Sequence, residues 1–543
     1  MKIKELLFGM LACTALAGCS NDNDPVNNED NGLSNSYMAV KIADATRSYT
    51  RATDGYDEGE GEERKIANAD FFFYASDGRF IALVEKTFDG QNTSTGNVSD
   101  KAQMLVLEKT QLQPKTLITL VNNPIEASSL RGLSLDEMKA KIAEIGDIEN
   151  YAEDNTFFMT CSSYYDGESV VYGTDVEGKL QATEDAAGKA PVDVYVERVA
   201  AKTTVNFKAS SVEIGNQIVD ETPQTLVVTL KGWGLNGTNK NSYVVKNLSN
   251  VDFTTYGWAK ATADFRSYWA VDDNYTTGAG KYATIYKDLL EKPAQGESYS
   301  DETINEGTFS LDYISANEAT LTTTSATSAY CLENTSNILL ETGKANPYTT
   351  VTIIAEVALK GNAAATIYKY QGAYYTETSM KNLALKALAD YRKASGDEYI
   401  PLEASDISVV DAWADTNNEV KFEVSGTAYF DNAKTPAGVE VSVLNAKLAA
   451  LGNASCFNGG LCYYNVPIKH LGEEKTTENN GVYGVVRNHS YVLNVNSINN
   501  VGEAVYKPGA PIIPTITPTP EEFYLSTTLN VLSWKTVSQD VEL

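Results

Sequence analysis

Histidine is nearly absent from this chain: His470 and His489 are the only two in 543 residues. That leaves little room for a His-rich metal site or for several His-based catalytic centres. Cations are also scarce, with 43 Lys and Arg against 72 Asp and Glu and a formal net charge of −29. Such a balance argues against a nucleic-acid partner, because phosphate binding needs clustered Lys and Arg. It equally disfavours adhesion to anionic lipid. No HExxH, GxSxG or phosphate-loop pattern occurs. Beyond the N-terminal leader no stretch approaches the ~18 apolar residues of a membrane-spanning helix. What is present is a hydrophobic fraction of 43% and 32 tyrosines. That is enough apolar material for two or three cores, with a bias towards strands.

Residues 1–19 read MKIKELLFGMLACTALAGC. Lys2 and Lys4 precede an apolar run from Leu6 to Ala17, too short to span a bilayer comfortably. Leu16-Ala17-Gly18-Cys19 follows, and this resembles the lipobox of bacterial lipoproteins. The resemblance implies that residues 1–18 are a signal peptide and that Cys19 is lipidated. The mature chain would then be an exported lipoprotein, tethered at least transiently to the outer membrane. Ser20 to Asn35 is Asn/Asp-rich and reads as a tether. Of the remaining cysteines only Cys456 and Cys462 are close in sequence, around Asn458-Gly459-Gly460. They are either a disulfide across that turn or two thiols. With His470 and His489 they match no standard zinc spacing.

The body reads as mainly β. Ala69–Tyr74 and Arg79–Val84 flank Ser76-Asp77-Gly78, a hairpin signal. Thr116–Val121, Val192–Val196, Thr203–Phe207, Thr225–Leu230, Val351–Leu359, Thr366–Tyr370, Val420–Val424, Val439–Val443 and Tyr491–Ser497 continue the strand pattern. Two helices are expected. One follows the capping box at Ser134–Glu137, with Met138, Ile142 and Ile145 on one face. The other spans roughly 378–395, with Ala384, Leu388 and Tyr391 on one face. Many short strands between turns indicate β-sandwiches. Composition shifts at Arg51–Lys65 (acidic and Gly-rich), near 235–250, and at Pro508–Pro520 divide the chain. The segments are 19–51 (tether and first strand), 52–240 and 241–507 (two sandwiches), 508–522 (Pro-rich linker) and 523–543 (terminal segment).

The two ends carry the functional signal. Five of the 15 prolines fall between Pro508 and Pro520 and make a stiff connector. Beyond it Leu525, Thr527, Leu529 and Val531 alternate, then Val537, Gln539, Val541 and Leu543. An apolar, β-prone terminal segment needs a sheet edge, its own or another molecule's. At the other end Met38, Val40 and Ile42 mark a strand over Tyr37–Ala43, followed by Arg47, Arg51-Ala52 and the acidic loop. A trypsin-like cut there would free that strand and open a groove for a donor strand from another subunit.

Several runs complete the pattern: Glu197-Arg198-Val199-Ala200-Ala201-Lys202, Gly232-Trp233, Gly460-Leu461-Cys462-Tyr463-Tyr464 and Ile468-Lys469-His470-Leu471. Gly484 to Tyr491, Val531 to Lys535 and Val541-Glu542-Leu543 follow in order. Together with the lipobox they resemble the major fimbrial subunits (fimbrillins) of Bacteroidales type V pili, of the short, minor-fimbria type. The resemblance implies two tandem transthyretin-like β-sandwich domains and surface export. It also implies removal of the first strand by an arginine-specific protease, matched here to Arg51-Ala52 with Arg47 and Arg64 as competitors, and a C-terminal donor strand. The implied partners are identical subunits in a homopolymer, anchor and tip proteins, the protease, and host or bacterial surface ligands. No cofactor is implied. On the residues alone, Arg487-Asn488-His489 reads as a hydrogen-bonded turn entering a strand, and Glu197-Arg198 as an ion pair or solvated strand end. The competing readings are a surface glycan-binding lipoprotein, with tyrosine and five tryptophans stacking on sugars, and a fimbrial tip adhesin. A two-carboxylate hydrolase is the enzymatic reading; without a motif, the chain is read as no enzyme.

Overall fold

The computed structural model describes residues 35–44, 59, 63, 65–88, 103–108, 112–145, 156–249, 251, 269–272, 311–317, 327–335, 348–412, 418–426, 428–433, 436–470, 483–513 and 535–542. The fold is mainly β. Its apolar side chains gather into three large cores.

The first core lies on an eight-stranded sheet. Its order is Phe80–Thr87, Asn68–Ala75, Pro114–Val121, Met159–Cys161, Val192–Arg198, Ser36–Asp44 and Gln103–Leu107, with Thr174–Asp175 paired to Pro114–Val121. The hairpin expected at Ser76-Asp77-Gly78 is formed, and Gly78 takes the left-handed conformation that its turn requires (φ 80°). Phe71, Phe72, Phe73 and Tyr74 are all buried, because this strand is covered on both faces.

The chain changes core at Ala200–Ala201, inside the strand Ala200–Phe207. That strand is central in a four-stranded sheet ordered Ser328–Leu332, Ala200–Phe207, His489–Ser497, Lys535–Glu542. The second core fills the space between this sheet and the long strands Thr222–Asn236, Thr350–Leu359 and Leu461–Pro467, with Trp233 fully buried in it.

A third core, absent from the sequence expectation, is built from residues between Thr350–Leu359 and Leu461–Pro467, with Tyr506 packed against it. Helix Glu377–Ala387 contributes Met380 and Ala384, and helix Val441–Ala449 contributes Leu444 and Leu448. Strands Ile367–Tyr370, Glu419–Val424 and Ala454–Phe457 close it, in the same ten-stranded sheet that serves the second core.

Three local expectations are corrected. The capping box at Ser134 starts a helix as expected, but the helix stops at Ala140. Ile142–Glu144 instead pairs as a strand with Asn241–Tyr243, so tertiary pairing overrides a helical spacing. The helix at Glu377 ends at Ala387, and Tyr391–Ser395 is a strand of a separate four-stranded sheet. The run Val439–Val443 is the end of a two-residue strand followed by a helix, not one strand.

Candidate functional site

The first strand, Ser36–Asp44, is interior to its sheet. It runs parallel to Val192–Arg198, with Val40 opposite Val192 and Ile42 opposite Val194. On its other side it runs antiparallel to Gln103–Leu107, with Met38 opposite Leu105. Met38, Val40 and Ile42 are at most 1% exposed, in line with the alternation in the sequence. Ala39 is buried as well, and helix Glu184–Lys189 packs against the strand. Each of the three larger side chains contributes about 1.5–3 kcal/mol through burial. Taking the strand away would leave two facing backbone edges and an apolar slot, a site for another strand.

The terminal strand Lys535–Glu542 also has a partner. It lies parallel to His489–Ser497 of the same chain, with Val537 opposite Tyr491, Gln539 opposite Leu493 and Val541 opposite Val495. It is the edge strand of its sheet. Of the site residues named from the sequence, Cys19, Arg47, Arg51, Ala52, Arg64 and Leu543 lie outside the described residues, as do Leu525, Thr527, Leu529 and Val531.

Between the first and second cores lies a buried ionic junction. Glu63, 2% exposed, accepts from Lys202 Nζ at 2.7 Å and from the Tyr330 hydroxyl at 2.6 Å. Its backbone carbonyl accepts from Arg198 Nε at 2.7 Å. Burial pushes the Glu63 carboxyl up, but the charge and hydrogen bond of Lys202, the Tyr330 hydrogen bond and the charge of Arg198 together hold it below its ordinary value. Arg198 also donates to Asn488 Oδ1 at 3.1 Å. Glu197 pairs with the buried Lys246 at 3.2 Å. Glu197 and Arg198 are therefore buried rather than solvated, and Glu197 forms a structural ion pair, with Lys246 as its partner.

The turn Arg487-Asn488-His489 is its hub. Arg487 is fully buried and pairs with Glu333 at 3.2 Å, and it donates to Ser242 Oγ and the Tyr243 carbonyl. Asn488 adopts a left-handed conformation (φ 57°), and its N–H donates to the Ala200 carbonyl at 2.8 Å. His489 Nδ1 donates to the Arg487 carbonyl at 2.8 Å. The Tyr491 hydroxyl accepts from the Val486 N–H and sits 2.8 Å from His470 Nδ1. His489 thus belongs to the turn, and His470 is tied to the strand that follows it through Tyr491. Among the described residues no group of three His, Cys, Asp or Glu is placed to hold a metal.

Cys456 and Cys462 are free buried thiols, so the disulfide reading of the pair is not realised. Cys456 belongs to the third core and Cys462 to the second. The turn between them, with Gly459 and Gly460 at φ 61° and 82°, carries the chain from one core to the other. Burial pushes both thiols up to about 12.

The Arg487-Asn488-His489 turn of this junction was readable from the sequence, but its acids Glu63 and Glu333 could not be singled out among 72. A signal did exist at Lys202 and Lys246, each embedded in an apolar strand-like run (Val199-Ala200-Ala201-Lys202 and Val244-Val245-Lys246).

Residues 455–540 match the family model for the C-terminal part of fimbrillin, described as major fimbrial subunit protein type IV. The matched segment contains Leu461–Pro467, His489–Ser497 and most of the terminal strand. No curated protein matches the chain. Among solved structures, a fimbrilin from Porphyromonas gingivalis W83 is similar at 15% identity, with 93% of this chain and 96% of that one covered and a TM-score of 0.36. A fimbrial assembly protein from Parabacteroides distasonis is similar at 14% identity, covering 60% and 82%, with a TM-score of 0.26. The tip fimbrial protein Mfa3 from Porphyromonas gingivalis is similar at 13% identity, covering 60% and 79%, with a TM-score of 0.28. Among the described residues no helix is long and apolar enough to cross a membrane.

Proposed function

We propose that this chain is a structural, non-enzymatic subunit of a cell-surface fimbria. It is exported as a lipoprotein through Cys19, activated by cleavage near Arg51, and polymerised when the C-terminal strand of one subunit fills the slot vacated by the first strand of the next. The first and second cores are the two tandem sandwiches of this reading, and the third core is a lobe inserted into the second. Identical subunits are the main partners, with anchor and tip proteins at the ends of the polymer and an arginine-specific protease as the activator.

The observation that carries the reading is the position of Ser36–Asp44. A strand held between two neighbours by ten register pairs would normally be a permanent part of its sheet. Here it precedes Arg47 and Arg51 and an acidic, Gly-rich stretch, so one cut would separate it from everything downstream. The fimbrillin match at 455–540 supports the assignment of the other end. The incoming strand would run parallel to Val192–Arg198 and antiparallel to Gln103–Leu107, as the first strand does. In the uncut subunit the terminal strand is held by its own His489–Ser497, so assembly exchanges one pairing for another.

The test is the Arg47→Ala, Arg51→Ala double variant in cells that make fibres. The expected result is secreted, folded, unpolymerised subunit. Normal fibres from that variant would overturn the activation step.

A further inference from the structure

The segment that follows the proposed cut is fastened at a definite point. Glu63 is bonded through its side chain to Lys202 and Tyr330 and through its carbonyl to Arg198. Two residues on, the Lys65 carbonyl accepts from Asn122 Nδ2 at 2.7 Å. Ile66 is 1% exposed in the first core, and the Ala67 N–H donates to Asn122 Oδ1 at 2.8 Å. Asn122 itself is buried and left-handed (φ 52°), a conformation asparagine tolerates better than most residues. Its amide also donates to the Phe157 carbonyl at 3.0 Å.

We propose that Glu63 and Asn122 form a clamp that sets how far arginine-specific proteolysis advances into the chain, so that cleavage occurs at Arg47 or Arg51 and the Arg64–Lys65 bond is spared. A protease takes its substrate as an extended segment with residues on both sides of the scissile bond released. It then adds one water across the bond, leaving a carboxylate on the arginine and an amine on the next residue. At Arg64 that would require freeing Glu63 on one side and Lys65 to Ala67 on the other. The first release breaks a buried ion pair between carboxylate and ammonium. The second pulls Ile66 from the core and strips the two bonds of Asn122. Arg51, by contrast, is followed by ATDGYDEGEGE, an acidic, Gly-rich stretch with almost no apolar residues. The clamp also reaches across the molecule, because Lys202 and Tyr330 belong to the four-stranded sheet while Asn122 follows Pro114–Val121 of the first. It therefore pins the chain downstream of the cut to the body of the subunit while the first strand departs. Its biological meaning rests on the activation proposed above; the protection is a property of the precursor itself.

The experiment is a time course of the full-length chain with an arginine-specific endoprotease, read by intact mass and N-terminal sequencing. Products beginning at Ser48 or Ala52 are expected first, with the product beginning at Lys65 on the order of 100-fold slower, since it waits for local opening. Glu63→Ala and Asn122→Ala should each speed the cut after Arg64 roughly tenfold or more without changing the upstream cuts. Because Glu63→Ala leaves Lys202 buried without its partner and can unfold the chain, Tyr330→Phe is the milder probe. It keeps the ring against Phe157, 4.9 Å between centroids, and removes one hydrogen bond to Glu63. It should speed the Arg64 cut a few-fold with only a small drop in the thermal midpoint. Cleavage of the unaltered chain after Arg64 as fast as after Arg51 would overturn the clamp, as would variants that leave the Arg64 cut unchanged. A clean stop at Arg51 with no subsequent assembly would uphold the clamp and sink the activation reading instead.

Discussion

Arg487 is the residue whose loss should be felt furthest. Its guanidinium satisfies Glu333, Ser242 and Tyr243 at once, all in the buried junction. Arg487→Met should destabilise the chain by about 3–5 kcal/mol, because Glu333 is left charged and buried. Adding Glu333→Gln should recover part of that loss, both measured by urea denaturation. Gly460 is constrained differently: at φ 82° a Cβ there would stand 2.3 Å from the Val357 carbonyl oxygen. Gly460→Ala should therefore destabilise by about 2 kcal/mol or more through strain and displaced backbone. Glu63 predicts a pH dependence. Its carboxyl is held below the ordinary value of 4.5, so its contribution is complete above that value and disappears as the pH falls through the lower folded-state value. The stability gap between the native chain and Glu63→Gln should be widest at neutral pH and shrink well below 4.5. A gap that grew on acidification would contradict the ion pair.

At the scale of elements, the two terminal strands make opposite predictions. Val40 is fully buried in the middle of the first strand. Val40→Asp should weaken the uncut chain by about 3 kcal/mol or more, since it buries an unpaired carboxylate. The same substitution should leave the cut subunit and its polymer unaffected, because the strand carrying it has gone. Equal damage to precursor and polymer would mean that the first strand is never lost. The terminal strand is an edge, so proline is tolerated there only at the cost of its own pairing. Gln539→Pro should abolish hydrogen-exchange protection along the terminal strand while the cores stay intact.

Elements also show what could be read ahead of the structure. The hairpin around Asp77, the strands at 192–198 and 489–497 and the buried face of Met38, Val40 and Ile42 were all legible, because an alternating pattern states its own burial. The segment 142–144 was not: its isoleucine spacing suits a helix, and only pairing with Asn241–Tyr243 decides otherwise. Cys456 and Cys462 are six positions apart yet serve different cores, and the turn residues between them could not reveal that a boundary runs through it.

For the whole molecule, the sequence's three composition shifts were poor guides to its cores. The first change of core falls within one uninterrupted strand, at Ala200–Ala201, and no proline, glycine or charge run announces it. The ionic junction at this boundary is assembled from Glu63, Lys202, Glu333 and Arg487, positions far apart in sequence that only the fold brings together. With three cores sharing sheets, unfolding should couple the second and third more tightly than the first, since the ten-stranded sheet serves both of the former. The two end strands were legible for the opposite reason: each is a short apolar alternation beside a polar or proline-rich run.

In the proposed assembly, removing the first strand creates a slot which the C-terminal segment of another copy fills. The most direct measurement compares the full-length chain with a chain ending at residue 522, each cut by an arginine-specific protease and followed by size analysis in SDS without heating. A ladder of SDS-resistant oligomers is expected from the full-length chain, and cut monomers alone from the shortened one. Ladders of equal extent from both, or monomers from a full-length chain that has demonstrably lost residues 1–51, would contradict it.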